Sequence, residues 1–195
     1  MGEDGIVPDS SFYICFTNDL KRRECFYEVA NLYSVYIGRR ILKEICKEVS
    51  GDKNFLSTVR IINFDYYELI KPYFGRNEDH IDDGEYEAIG IAHFLAEKGY
   101  LKYLIIDETR AKNFVTKHFP YLINNTVGTI GFIRDSCCKD RKISTSKALG
   151  ILNAIKEAVD SGKTNRPCSM DTKSYKNILI PTIEIIRKTS RDYDE

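Results

Sequence analysis

Apolar residues along this chain switch between two periods, and the switching predicts alternating strands and helices. Ile6 and Val7 form a short apolar run that ends at Pro8 and Asp9, followed by one or two helices from Ser10 to about Tyr33 with a break near Thr17 to Lys21. Ser10 and Ser11 are the N-cap candidates. Ser34 to Gly38 (SVYIG) has the β-branched and aromatic content of a buried strand. Ile41, Leu42, Ile45 and Val49 then recur at helical spacing through a helix from Arg39 to Val49. A strand over 59–64 and a short helix over 66–74, ended by Gly75, follow. The clearest helix begins at Asp82 or Asp83 and runs to Lys98. Ala88, Ile91, Ala92 and Leu95 form its buried stripe, Asp82 and Glu85 stand in capping-box spacing, and Gly99 is the stop.

Leu101 to Ile106 (LKYLII) reads as a strand buried on both faces that delivers Asp107 and Glu108 at its end. A helix over 109–118 closed by Pro120, a last strand over 122–127, and a turn from Gly128 to Gly131 into a further helix come next. Two more helical stretches between Ser144 and Ile186 are split by the turn formers of SGKTNRPCS. This order predicts an α/β protein with a parallel sheet.

With 195 residues and 43% hydrophobic content the chain builds one core, so a single domain is expected over 5–187, with 144–187 as a helical extension of it. Lys plus Arg and Asp plus Glu both number 29, which excludes a global electrostatic pull toward nucleic acid; any such surface is local. The opening MGEDGIVPDSSFYICF has neither the basic start nor the apolar run of a signal peptide or membrane span, so a cytoplasmic protein without a membrane partner is expected. Cys15, Cys25, Cys46, Cys137, Cys138 and Cys168 lack CxxC spacing and fit reduced thiols better than disulfides or zinc ligands; the vicinal pair Cys137 and Cys138 leaves a redox role open. His80, His93 and His118 share no spacing with them.

Four acids change the picture. Asp9, Glu44, Glu87 and Asp107 each stand where a strand ends or a helix faces strand ends, and an open parallel sheet gathers such positions at its carboxyl edge. Crowded carboxylates repel one another unless a cation compensates them, so a hard divalent metal and phosphoester chemistry are expected. The structural alternative is that acids at helix starts serve only as caps and dipole partners, and that Lys and Arg clusters are solvated faces. A phosphotransfer or dinucleotide-binding module is disfavoured: the chain has no GxGxxG, no GxxxxGK[ST], and no second aspartate two positions after Asp9.

Three segments read Gly84-Glu85-Tyr86-Glu87-Ala88-Ile89, then Leu104-Ile105-Ile106-Asp107-Glu108 followed by Arg110-Ala111, then Gly128-Thr129-Ile130-Gly131. With Pro8-Asp9-Ser10-Ser11 and Leu42-Lys43-Glu44-Ile45 ahead of them, the chain resembles the PIN-domain nucleases, in particular a prokaryotic branch with a GExEA helix start, an LIDE strand end and a GT(L/I)G turn. The resemblance covers most of residues 5–187. It implies a three-layer α/β/α PIN-like fold with a central parallel sheet plus C-terminal helices. It further implies an acidic pocket of Asp9, Glu44, Glu87 and Asp107 holding one or two Mg²⁺ or Mn²⁺ ions. Glu85 would be an accessory ligand, Ser11 would orient Asp9, and Glu108 would be peripheral. Pro8 replaces an apolar residue and is expected to shorten the first strand.

The activity that the resemblance implies is endonucleolytic cleavage of RNA. Candidate backbone contacts are Arg39, Arg40, Arg110, Lys112 and the cluster Lys139, Arg141 and Lys142. Tyr66, Tyr67 and Tyr73 are read either as base-stacking residues or as the edge of the core. Many small members of the family are toxins neutralised by an antitoxin protein, and many are homodimers, so both partners are expectations here. DNA as the substrate, and an inactive scaffold that keeps the fold, remain alternatives.

Overall fold

The computed structural model describes residues 4–74, 84–162 and 172–191. Five short strands, β1 (Gly5–Pro8), β2 (Ser34–Ile37), β3 (Val59–Ile61), β4 (Leu101–Ile105) and β5 (Thr126–Val127), pair in the order β3-β2-β1-β4-β5, and every pairing is parallel. Ile6, Val7, Val35, Ile37, Leu104 and Ile105 are all buried, as successive residues of a strand can be only when helices cover both faces.

The chain steps outward from β1 to β2 to β3 and then returns to place β4 on the other side of β1. Right-handed crossovers then send the helices of the two halves to opposite faces. The first face carries α1 (Ser10–Ile14), a π turn continuing it over Cys15–Asp19, α2 (Arg23–Ala30), α3 (Arg39–Glu44), α4 (Lys47–Ser50) and α5 (Lys53–Thr58). The second carries α6 (Tyr67–Ile70), α7 (Gly84–Glu97) and α8 (Thr109–His118). Phe12 packs edge-on against Phe16, Phe26 and Phe132, which seats α9 (Thr129–Cys138) on the first face. Tyr86 packs edge-on against Phe74 and Phe114 on the second. With α10 (Thr145–Asp160) and α11 (Thr172–Arg191) packed on α9 and on each other, the fold is a three-layer α/β/α arrangement with C-terminal helices.

Several boundaries differ from the sequence expectations. β1 runs through Pro8, which pairs with Ile105, and the Asp9 amide bonds the Ile105 carbonyl at 2.9 Å. Amides of a parallel strand point alternately to its two neighbours, so the donor that Pro8 lacks faces β2, whose pairing with β1 has already ended at Ile6. The helix expected over 39–49 breaks at Ile45 and Cys46, both extended, so that α3 ends on Glu44. The strand expected over 122–127 shrinks to two residues because 3₁₀ turns occupy Pro120–Asn125, and the strand expected over 59–64 stops at Ile61. Gly99, at φ +72°, takes the left-handed conformation expected of the stop after α7. Gly75, His80, the helix start at Asp82 or Asp83 with the Asp82 half of its capping pair, the loop beyond Gly162, and Cys168 lie outside the described residues.

The amino-terminal edge of the sheet is closed by a polar network. Asp140 accepts hydrogen bonds from Tyr33 Oη at 2.8 Å and Tyr103 Oη at 2.9 Å, and its other oxygen lies 3.1 Å from Lys102 Nζ. Lys142 reaches Asp4 and the Leu32 carbonyl, both at 2.7 Å, while Lys139 pairs with buried Asp135. Lys139 and Lys142, read as candidate RNA contacts, are thus engaged in ion pairs; Lys142 and its partners stand at the edge opposite the carboxyl ends of the strands. Among the described residues no helix is long and apolar enough to cross a membrane.

Candidate active site at the carboxyl edge of the sheet

β1 and β4 lie side by side, but the chain leaves β1 toward β2 and leaves β4 toward β5 on the other side. The crevice that such a reversal opens at the carboxyl ends is where parallel sheets bind ligands. Asp9 follows β1 directly and Asp107 follows β4 after Ile106. Both are buried. The Asp107 amide donates to Asp9 Oδ2 at 3.1 Å, and the Phe12 amide donates to Asp9 Oδ1 at 3.1 Å. Asp9, rather than Ser10 or Ser11, is therefore the N-cap of α1. Asp107 in turn accepts from the Thr129 amide at 2.9 Å and the Thr129 hydroxyl at 2.6 Å, at the start of α9.

Glu87 and Glu44 lie between α3 and α7. Glu87 Oε2 accepts the Arg40 and Ile41 amides at 2.8 and 3.0 Å, at the start of α3. Glu44 Oε1 accepts the Gly84 amide at 2.6 Å, at the start of α7. All four acids singled out in the sequence thus meet amides at helix N-termini, where the helix dipole favours negative charge. Glycine makes the close approach possible. A Cβ on Gly84 would stand 2.6 Å from Glu44 Oε2, one on Gly128 would stand 2.7 Å from Asp107 Oδ1, and one on Gly38 would strike the Glu87 carboxyl group. Sequence reasoning does not single out Gly38 or Thr129 as site residues; the signal available is their place where a predicted strand gives way to a helix, Gly38 as the last residue of the strand read over 34–38 and Thr129 in the turn after the strand read over 122–127.

Burial, then the charges of Asp107 and Glu85, push the Asp9 carboxyl well above its usual range. Burial also raises Asp107, against the pull of the Thr129 hydrogen bonds and the Lys112 ammonium. Burial raises Glu87 as well, opposed by the Ile41 and Arg40 amides. The charges of Asp107 and Glu85 thus bear on Asp9, the Lys112 ammonium bears on Asp107, and the charges of Asp65 and Arg40 bear on Glu87. Among the described residues, no three acidic, histidine or cysteine side chains stand close enough to hold a metal ion between them. The structure brings Asp9 and Asp107 together and keeps Glu44 and Glu87 on their helix amides.

The donor set still fits the divalent cation that the family resemblance implies. It consists of oxygens only, its ionisation is opposed by burial, and Mg²⁺ commonly uses one or two carboxylates while keeping several waters. Asp9 and Asp107 are the two carboxylates brought together there, and half-buried Glu85 adds its charge to the surroundings of Asp9.

The candidate substrate contacts divide. Arg39 is exposed and donates to Asn63 at 3.0 Å. The Arg40 guanidinium donates to both Asp65 oxygens at 3.2 and 2.8 Å and lies 4.1 Å over the Tyr67 ring, so it braces α3 against α6. Arg110 is exposed in the first turn of α8, and Lys112 is half-buried one turn in from Glu108, beside Asp107. Ser11 is buried in the first turn of α1. Tyr66 and Tyr67 are buried and belong to the core, while Tyr73 is about half exposed against His118 and Phe119. Among the described residues, Cys15, Cys25, Cys46, Cys137 and Cys138 form no disulfide; Cys15 is buried and the others half-buried. Comparison of the chain with protein-family models, with curated proteins and with solved structures finds no match in any of the three.

Proposed function

We propose that this protein is a metal-dependent endoribonuclease of the PIN-domain type. The observation that carries the reading is the Asp9 and Asp107 pair: two buried carboxylates, joined through the Asp107 amide, at the crevice between β1 and β4. Burial opposes the ionisation of both, and a cation is the compensation that acids in such a place call for. Asp9 and Asp107 would hold a Mg²⁺ or Mn²⁺ ion, with the Glu85 charge nearby, and the ion would supply Lewis acidity toward a phosphodiester and a nucleophile from water at neutral pH.

The chain's own residues do the rest. Helix amides of α1 and α9 fix the two aspartates so that neither reorients when charge builds at the site. Lys112 offers an ammonium beside Asp107 for a phosphate oxygen, and exposed Arg39 and Arg110 supply backbone contacts along the strand of RNA. A second reading, an inactive scaffold, is favoured by one observation: each of the four acids already serves a helix start.

Cleavage of end-labelled single-stranded RNA by purified protein with Mn²⁺, Mg²⁺ or EDTA, beside Asp107→Asn, tests the proposal. Metal-dependent cleavage lost in the variant supports it, and the same assay with single-stranded DNA separates the two substrates. Absence of both cleavage and calorimetric metal binding sinks it and leaves the scaffold.

A further inference from the structure

One polar atom near this site has nothing to bond. Tyr13 is fully buried on α1, four residues beyond Asp9, and among the described residues its hydroxyl is the buried side-chain polar atom without a hydrogen-bond partner. Its ring is walled by Phe12, Phe26 and Phe55, at centroid distances of 5.7, 5.5 and 5.7 Å. A phenylalanine would fill that apolar socket equally well, and an orphaned buried hydroxyl is a net loss to the fold. Asp9 is the N-cap of α1 and Tyr13 stands four residues on, so the two side chains share one face of the helix, and the charge of Asp9 adds to burial in raising the phenol's proton affinity. Each Asp9 oxygen has one amide donor, from Phe12 or from Asp107, and keeps a second lone pair. Tyr13 and Asp9 are both fully buried, so what satisfies the hydroxyl must be small. A single water can meet a phenol and a carboxylate at once, and immobilising it is less unfavourable than leaving both groups short of a partner.

We infer that Tyr13 binds one buried water molecule that links its hydroxyl to the Asp9 carboxylate, making Tyr13 a positioning residue for the aspartate. Its consequence for catalysis rests on the nuclease reading; the water link itself does not. By giving Asp9 a partner besides the Phe12 and Asp107 amides, the link holds the carboxylate at the angle the reaction needs, as outer-shell partners of metal-ligating groups do.

The test uses atomic-resolution crystal structures of the metal-free full chain and of Tyr13→Phe, with steady-state RNA cleavage alongside. A water within hydrogen-bond distance of both Tyr13 Oη and an Asp9 oxygen, absent from the variant, is the expected result. In the assay kcat should fall about tenfold in Tyr13→Phe with KM unchanged and thermal stability not reduced. A wild-type structure with no water there, or with one that does not touch Asp9, overturns the link. Wild-type kcat in the variant overturns the positioning role. Wild-type protein that neither binds Mn²⁺ nor cleaves RNA defeats the nuclease reading alone, because the crystallographic comparison still decides the link.

Discussion

Glu44 and Glu87 cap each other's helices: Glu44, the last residue of α3, accepts the first amide of α7, and Glu87, in the first turn of α7, accepts two amides at the start of α3. This reciprocal clasp ties the two layers together across the top of the sheet. Replacing Glu87 by Ala orphans two amides and should destabilise the protein by about 1–2 kcal/mol. Glu87→Gln keeps an acceptor and should lose less. Urea unfolding of both variants measures the difference; equal stability of all three proteins would refute the clasp.

Gly38 seats the same carboxyl group. Gly38→Ala places a methyl group where the Glu87 carboxyl now lies and should be destabilising by about 1–3 kcal/mol, although Gly38 has an ordinary extended backbone. The double variant with Glu87→Ala relieves the clash, so the two effects should be markedly non-additive in a double-mutant cycle.

Burial makes the charges of Asp9 and Asp107 unfavourable to the fold. Their folded-state proton affinities lie above the ordinary value of 3.8, so the folded protein holds these protons more tightly than the unfolded chain does. The resulting stability is greatest below pH 3.8 and is lost as the pH rises through the folded-state values. Asp107→Asn keeps an oxygen for the Thr129 amide and removes the charge. At pH 7 without metal it should melt a few degrees higher than wild type, a gain of about 0.5–2 kcal/mol. Calorimetric melting in EDTA checks this, and an unchanged or lower midpoint at pH 7 would contradict it.

Asp140 has the opposite sign. Burial pushes its carboxyl up, but the hydrogen bonds from Tyr33, Lys102 and Tyr103 outweigh it and hold the group below 3.8. Its contribution is therefore present above that value and disappears as the pH falls through the lower folded-state value. Asp140→Asn should lose about 1–3 kcal/mol at neutral pH and converge on wild type in acid. Denaturant titrations at pH 7 and pH 3 show whether the gap closes.

Arg40 and Arg39 separate bracing from substrate contact. Arg40→Ala removes the Asp65 pair and the stacking on Tyr67, and should reduce stability by about 1 kcal/mol with little change in RNA affinity. Arg39→Ala should do the reverse, lowering the salt dependence of RNA binding by about one counterion while leaving the melting point in place. Fluorescence titration of a labelled RNA at several salt concentrations distinguishes them.

Much of this architecture was legible from residue patterns. Period and punctuation marked β1, β2, β4 and the helices α7 and α8, because each is a run of buried residues bounded by glycine, proline or a capping group. The sheet edges were harder. β3, with one buried and two exposed residues, and β5, with two half-buried ones, are too short for alternation to register, and the 3₁₀ turns over Pro120–Asn125 carry the same apolar residues as a strand would. At the site, Asp9 and Asp107 were visible because strand ends in a parallel sheet converge. The roles of Gly38 and Thr129, the orphaned hydroxyl of Tyr13, and the engagement of Arg40 by Asp65 were not. Those depend on which helix start meets which carboxylate, a tertiary relation that no local window contains.

The bonds that hold the four acids span 98 residues for Asp9 with Asp107, 47 for Glu87 with Arg40, 40 for Glu44 with Gly84, and 22 for Asp107 with Thr129. Closing loops of such length is entropically unfavourable until the strands between them are in place, so these contacts belong to the end of folding rather than its beginning. A partly folded chain therefore holds scattered carboxylates and no assembled crevice. Whatever chemistry the acids perform is switched on by completion of the fold itself.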